Sequence, residues 1–266
     1  MVARQADVLD RPGGRLTINI ISSDMPGQKL DSAPRYRRTI EWMQVLRALL
    51  DGERVEFHGD FVDLELDPAR IRTATGTCPP FYFGGFSDDA KEVAAAEADV
   101  FLTWPDTVSS VRETAKEMKD RAAGHGRELL IGLRSHVIVR ESEGEAKAAA
   151  DRLISRLDEE TGAAIRGKSL DAASVGVQRQ AALRERADEA GYAEPNLWTG
   201  IGKARSGAGA AIVGDPDQVV EKIEAYTDAG VSAFILSGYT HMAEAERFAE
   251  MVLPRLDHGK IHQPSG

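Results

Sequence analysis

Leu130-Ile-Gly-Leu-Arg-Ser-His-Val-Ile-Val139 is the stretch on which the fold class turns. It is apolar and rich in β-branched residues, the composition of a buried strand. Side chains alternate faces along a strand, so Ile131, Leu133, Val137 and Val139 share one side. Gly132, Arg134, His136 and Ile138 share the other. The wholly apolar side suits packing beneath helices, which leaves Arg134 and His136 aimed into a barrel interior or its mouth. Both are costly to bury. They read either as a polar pair satisfied by a neighbouring carboxylate or as part of a site.

Four other segments have strand character: Leu16–Ile21, Phe81–Phe83, Val100–Thr103 and Val231–Leu236. Amphipathic stretches separate them. Val108, Val111, Ala115, Met118 and Ala122 step by three and four, one apolar stripe on a helix. Asp215-Pro216 is an N-cap followed by a first-turn proline, Val219, Val220, Ile223 and Tyr226 form the buried face, and Gly230 ends the helix. Strands alternating with helices predict an α/β fold with a mainly parallel sheet. Val55–Leu66 reads as a side hairpin.

The 266 residues suit a closed eight-stranded barrel, which takes ~250. Residues 143–212, however, read mostly as helix and loop rich in Ala, Glu and Arg. Eight βα units at ~30 residues each need more chain than that segment leaves. Five strands are legible, and residues 3–10 look like a helix with no strand before it, so the fold is expected to start partway through a barrel.

Composition narrows the function classes. The formal net charge of −10, without a basic patch, argues against nucleic acid. No apolar run reaches the ~18–20 residues of a membrane span, and the N-terminus lacks a signal-peptide core. A lone cysteine, Cys78, excludes an internal disulfide and a multi-cysteine zinc site. The expectation is a reduced, cytoplasmic protein with no metal site.

Other polar residues have two readings each. Asn19 lies on the face opposite Leu16, Ile18 and Ile20, able to bond a planar heterocycle or its neighbouring strands. Phe83-Gly-Gly-Phe-Ser-Asp-Asp-Ala90 gathers free backbone N–H groups at a helix start, with Ser87 as N-cap. Such a turn holds a phosphate or is an ordinary glycine turn. Arg205 lies in a glycine-rich stretch, Gly202–Gly209, and Tyr239 follows the last strand at the end where barrel active sites form. Tyr239 and Trp104, which ends the third strand, are each either a site residue at that mouth or a packing residue, and His241 reads as a bystander there. His58 and His125 read as solvated residues of polar turns. Cys78 precedes two prolines without a basic partner to activate it.

Several runs together resemble the two-component alkanesulfonate monooxygenases of the bacterial-luciferase-like flavin family. They are Tyr82-Phe-Gly-Gly85, Leu102-Thr-Trp104, Leu133–Glu141, Asp151–Ser155, Pro195–Gly202, Gly207–Pro216 and Phe234–Tyr239. The resemblance implies an incomplete (β/α)₈ barrel, one domain over 1–266 with a helical, mobile-loop insertion at 143–212. Residues 3–21 look like the family's third helix and fourth strand, which implies that about three βα units are missing. Those units carry an active-site histidine and a cysteine in the family, and neither is assignable here. Phe86 stands where the family has a serine.

Carried over by motif, Arg134 and His136 look like the family's active-site strand pair, Arg205 like its mobile-loop arginine, and Tyr239 like its active-site tyrosine. Asn19, Tyr36, Gly85 and Ser87 look like flavin contacts, Tyr36 and Ser87 at the phosphate. The family takes reduced FMN from a separate NAD(P)H-dependent reductase, uses O₂, and turns an alkanesulfonate into an aldehyde and sulfite; its members are commonly homo-oligomers. Arginines at one mouth suit an anionic sulfonate, and either His136 or Tyr239 is placed to move a proton as the C–S bond breaks. The alternatives are an inactive or mis-started fragment of such an enzyme, and a sister flavin monooxygenase acting on sulfones or other small substrates.

Overall fold

The computed structural model describes residues 14–22, 30–68, 73–167, 174–204, 207 and 209–259. The helix expected at 3–10, and Arg205, lie outside them. The described chain falls into two compact units. Residues up to Phe101 together with Met118–Leu130 form the first, and Leu102–Glu117 with the residues from Ile131 onward form the second.

The first unit contains β1 (Ile18–Ile20), α1 (Ser32–Asp51), β2 (Val55–His58), β3 (Asp63–Leu66), β4 (Phe81–Phe83), α2 (Asp88–Glu97) and the start of β5 (Val100–Thr103). β1, β4 and β5 lie side by side and parallel, with Asn19 opposite Tyr82 and Tyr82 opposite Val100. Phe81 and Phe83 are buried, as a strand covered on both faces requires. Asp99 anchors this edge: its carboxylate accepts the Phe81 N–H at 2.7 Å and pairs with Arg47 at 3.0 Å. The Arg47 guanidinium also lies 4.5 Å above the Phe81 ring. α1 stops at Gly52, whose φ of 80° a side chain would resist.

β2 and β3 form the expected hairpin, antiparallel, with Val55 opposite Leu66. Its apolar residues Val55 and Val62 pack on Val45 of α1. Glu41 of α1 reaches over the turn and accepts three successive backbone N–H groups, from Asp60, Phe61 and Val62, at 2.8–2.9 Å.

The second unit contains the first ten residues of α3 (Val108–Gly124), then β6 (Leu130–Val139) from Ile131, α4 (Glu143–Ile154), α5 (Glu159–Gly167), α6 (Val175–Glu185), β7 (Tyr192–Glu194), β8 (Leu197–Trp198), β9 (Ala211–Gly214), α7 (Pro216–Asp228), β10 (Ala233–Ser237) and α8 (His241–Met251). The α7 boundaries follow their local signals. Asp215 and Gln218 make a reciprocal capping box, Pro216 opens the helix, and Gly230 turns the chain at φ 103°. Val219, Val220, Ile223 and Tyr226 are buried, and the Tyr226 hydroxyl donates to the Asp106 carbonyl at 2.8 Å.

Expectation and structure differ at two places. The segment 143–212 is mostly helix and loop, as expected, but it also holds β7, β8 and the start of β9. β8 runs antiparallel to both β7 and β9, so the sheet is more mixed than the alternation predicts. These strands are two to four residues long, too short to set up a periodicity. They are held by packing instead. Trp198 is 1% exposed within a cluster of Ile138, Ala146, Ala150, Ala211 and Val213, and a Cβ on Gly200 would fall 2.0 Å from its ring. The first and last expected strands are also shorter or shifted, to Ile18–Ile20 and Ala233–Ser237. Among the described residues no helix is long and apolar enough to cross a membrane.

Candidate active site

In the second unit β6 is hydrogen-bonded to β10 along Gly132–His136 and to β9 along His136–Val139, both parallel. This register sets Ser237 directly beside His136. The His136 Nδ1 lies 2.9 Å from the Ser237 hydroxyl oxygen, and the ring is buried. Tyr239, two residues past Ser237, lays its ring 5.2 Å from that of His136 at 31°. His241 stands 5.7 Å beyond Tyr239, and its Nδ1–H donates to the Gly238 carbonyl at 2.5 Å.

Gly238 makes this approach possible. A Cβ there would lie 2.4 Å from the Glu244 Cβ and 3.2 Å from the Val137 carbonyl oxygen. Glu244, itself buried, accepts both arms of the Arg140 guanidinium at 2.8 and 2.9 Å and Arg247 at 2.9 Å. The first turn of α8, which follows Tyr239, is thereby fastened to the end of β6. Arg134 shares the His136 face, is half-buried, and has no hydrogen-bond or ion-pair partner among the described residues. An imidazole, a phenol and an uncommitted guanidinium thus belong to one strand face and the turn beside it, a set suited to holding an oxyanion and moving a proton.

The first unit gathers a different set. Ser87 caps α2 by accepting the Ala90 N–H at 3.3 Å. A Cβ on Gly85 would lie 2.5 Å from the Ala90 Cβ and 3.9 Å from the Tyr36 hydroxyl, so Gly85, Ser87 and Tyr36 surround the start of this helix. Tyr36 is steadied edge-on against Phe83 at 6.3 Å. The acidic residues of the first turn are engaged elsewhere, Asp88 with Arg121 at 3.0 Å and Asp89 with Ser32 at 2.5 Å. Phe86 packs edge-on against Phe101 at 5.9 Å, a use no serine could serve. Asn19 is exposed on β1.

The remaining candidates are structural. Trp104 packs over Gly176 and Gly207. His58 is not in a turn but in β2, bonded to Asp63 at 2.7 Å, a contact that raises its titration above the usual range. Glu56, His58 and Glu65 could bring ligand atoms together on the exposed hairpin, but all three are open to solvent. His125 pairs with Glu92 at 2.7 Å just past α3. Burial pushes the Cys78 thiol up to about 12, although Arg47 pulls the other way. The native protein should therefore give no reaction with a disulfide reagent at pH 8 over minutes, and one thiol per chain once unfolded. A fast native reaction would show an open Cys78. Ser237, Glu244 and Arg140 carry no local signature and are reached only through the fold.

A model of the luciferase-like monooxygenase family matches residues 1–233. The chain is 57% identical over 269 residues to a sulfoquinovose monooxygenase of Novosphingobium aromaticivorans, covering 98% of this chain and 74% of that protein. It is 48% identical over 260 residues to a sulfoquinovose monooxygenase of Agrobacterium fabrum, covering 96% of this chain and 67% of that protein. Among solved structures, DmoA from Hyphomicrobium sulfonivorans superposes with a TM-score of 0.76 at 18% identity, over 98% of this chain and 67% of that one. A long-chain alkane monooxygenase, LadA, superposes with a TM-score of 0.71 at 18% identity, over 100% of this chain and 68% of that one. At such identities the likeness establishes the α/β, TIM-barrel-type fold. Both relatives of high identity are named for sulfoquinovose, not for an alkanesulfonate. On the family match and the identity to these relatives, the chain belongs to the luciferase-like monooxygenases.

Proposed function

We propose that the protein is a two-component monooxygenase that uses reduced FMN and O₂ to release sulfite from a sulfonated sugar of the sulfoquinovose kind. The observation that carries this reading is the 57% identity, across 98% of the chain, to a sulfoquinovose monooxygenase. In this reading residues 143–212 are an insertion within a single luciferase-like domain over 1–266, and the protein works as a homo-oligomer beside an NAD(P)H-dependent FMN reductase.

The residues fit the flavin. The start of α2, with Ser87, the Tyr36 hydroxyl and the Cβ-free cradle at Gly85, offers donors to the FMN phosphate, and Asn19 is assigned to the ring system. Bound reduced FMN supplies the activation of O₂. Arg134 holds the sulfonate, and the lack of a competing carboxylate among the described residues leaves the guanidinium available. His136 and Tyr239 hold and move the proton as the C–S bond breaks. Arg205, in the glycine-rich stretch Gly202–Gly209, is proposed as a second arginine for the sulfonate.

The test supplies the protein with FMN, a flavin reductase, NADPH and O₂, and measures sulfite from sulfoquinovose and from octanesulfonate. Sulfite should appear at least about tenfold faster, per unit concentration, from the sugar. Preference for octanesulfonate would return the substrate to the alkane class. Oxygenation of sulfones without sulfite from any sulfonate would favour a sister enzyme, and flavin oxidation with no sulfur product would end the monooxygenase reading.

A further inference from the structure

Two histidines of this unit have different partners at the same ring nitrogen. His241 meets the Gly238 carbonyl at 2.5 Å, and a carbonyl only accepts, so its proton is held on Nδ1. His136 meets a hydroxyl instead, the Ser237 Oγ at 2.9 Å, and a hydroxyl both donates and accepts. The pairing is set by strand register, Ser237 opposite His136, and no loop has to hold it.

The consequence follows from the substrate's charge. A neutral imidazole with its proton on Nδ1 leaves a lone pair on Nε2, a buried atom here, and that lone pair repels an anionic oxygen. With the proton on Nε2 it presents an N–H donor. A carboxylate or carbonyl beside Nδ1 would enforce the first form. Serine permits the second, by donating its own O–H to Nδ1. The groups about the ring agree with that role. From β6, Arg134 on the same face supplies positive charge; from the turn after β10 comes Tyr239 and, behind it at the start of α8, His241. β9 pairs through Ala211 and brings no titratable side chain there.

Resting on the sulfonate reading above, we propose that Ser237 is a positioning residue: it donates to Nδ1 and keeps neutral His136 in the Nε2–H form, a directed donor to an oxygen of the anionic substrate. The hydrogen bond aligns the ring and selects its tautomer. No proton is transferred to or from Ser237.

The tautomer is read directly by nitrogen-15 NMR of the histidine-labelled protein at neutral pH, the His136 signals being identified by their loss in His136→Gln. The expected spectrum has pyridine-type Nδ1 and pyrrole-type Nε2. Ser237→Ala should mix the two forms and raise KM for the sulfonate about fivefold, the equivalent of one lost hydrogen bond, with a smaller change in kcat. Ser237→Thr should restore both readouts, and Ser237→Asp, if folded, should move the proton to Nδ1 and raise KM further. An Nδ1–H form in the unmodified protein, or a Ser237→Ala variant with unchanged spectrum and KM, would overturn the proposal while sulfite release still stood. An Nε2–H spectrum in a protein that releases no sulfite would overturn the functional reading instead.

Discussion

Arg134→Ala should lower kcat/KM for sulfite release by ~100-fold or more, the loss expected when one side of a desolvated, charge-assisted pair is truncated. Stability should hardly change. Arg134 has no partner among the described residues, so its removal strands no carboxylate, and the unfolding free energy should stay within about 0.5 kcal/mol. Arg134→Lys should recover part of the activity, because an ammonium keeps the charge but not the planar fork. His58→Ala is the control: an exposed hairpin residue held by Asp63, whose loss should leave turnover as it was. Steady-state sulfite measurements across substrate concentration decide the matter. Equal activity in Arg134→Ala and His58→Ala would remove Arg134 from the site.

The largest stability effect is expected at Glu244. Its carboxylate is 6% exposed and receives both nitrogens of Arg140, itself only 21% exposed, together with the more open Arg247. Glu244→Ala leaves Arg140 without its carboxylate and should cost about 3 kcal/mol in urea unfolding. Arg247→Ala, at the exposed end of the same carboxylate, should cost less than about 1 kcal/mol. If the two variants unfold at the same urea concentration, the buried bridge is not what fastens α8 to β6.

What was legible in the sequence depended on range. β4, β5 and β6 have the limits expected of them because each is a run of large apolar or β-branched residues closed by polar or helical signals. α7 was legible for the same reason, its cap, proline and glycine all lying within sixteen residues. β7, β8 and β9 were not, because strands of two to four residues among alanines and glycines exist by pairing with one another. The Arg134 and His136 face was visible as alternation. Ser237 was not, since it lies 101 residues from its partner, nor was Glu244, 104 residues from Arg140. Contacts between distant strands leave no local pattern.

Glu41 has an effect on how the hairpin opens. Turn amides usually exchange with solvent quickly, because water competes for them and no ladder holds them. Those of Asp60, Phe61 and Val62 are bound instead to a carboxylate rooted in the middle of α1. They cannot open unless the turn leaves the helix. Deuterium uptake at these three positions should therefore keep the slow pace of α1, making the tip of the hairpin, kinetically, part of the helix beneath it.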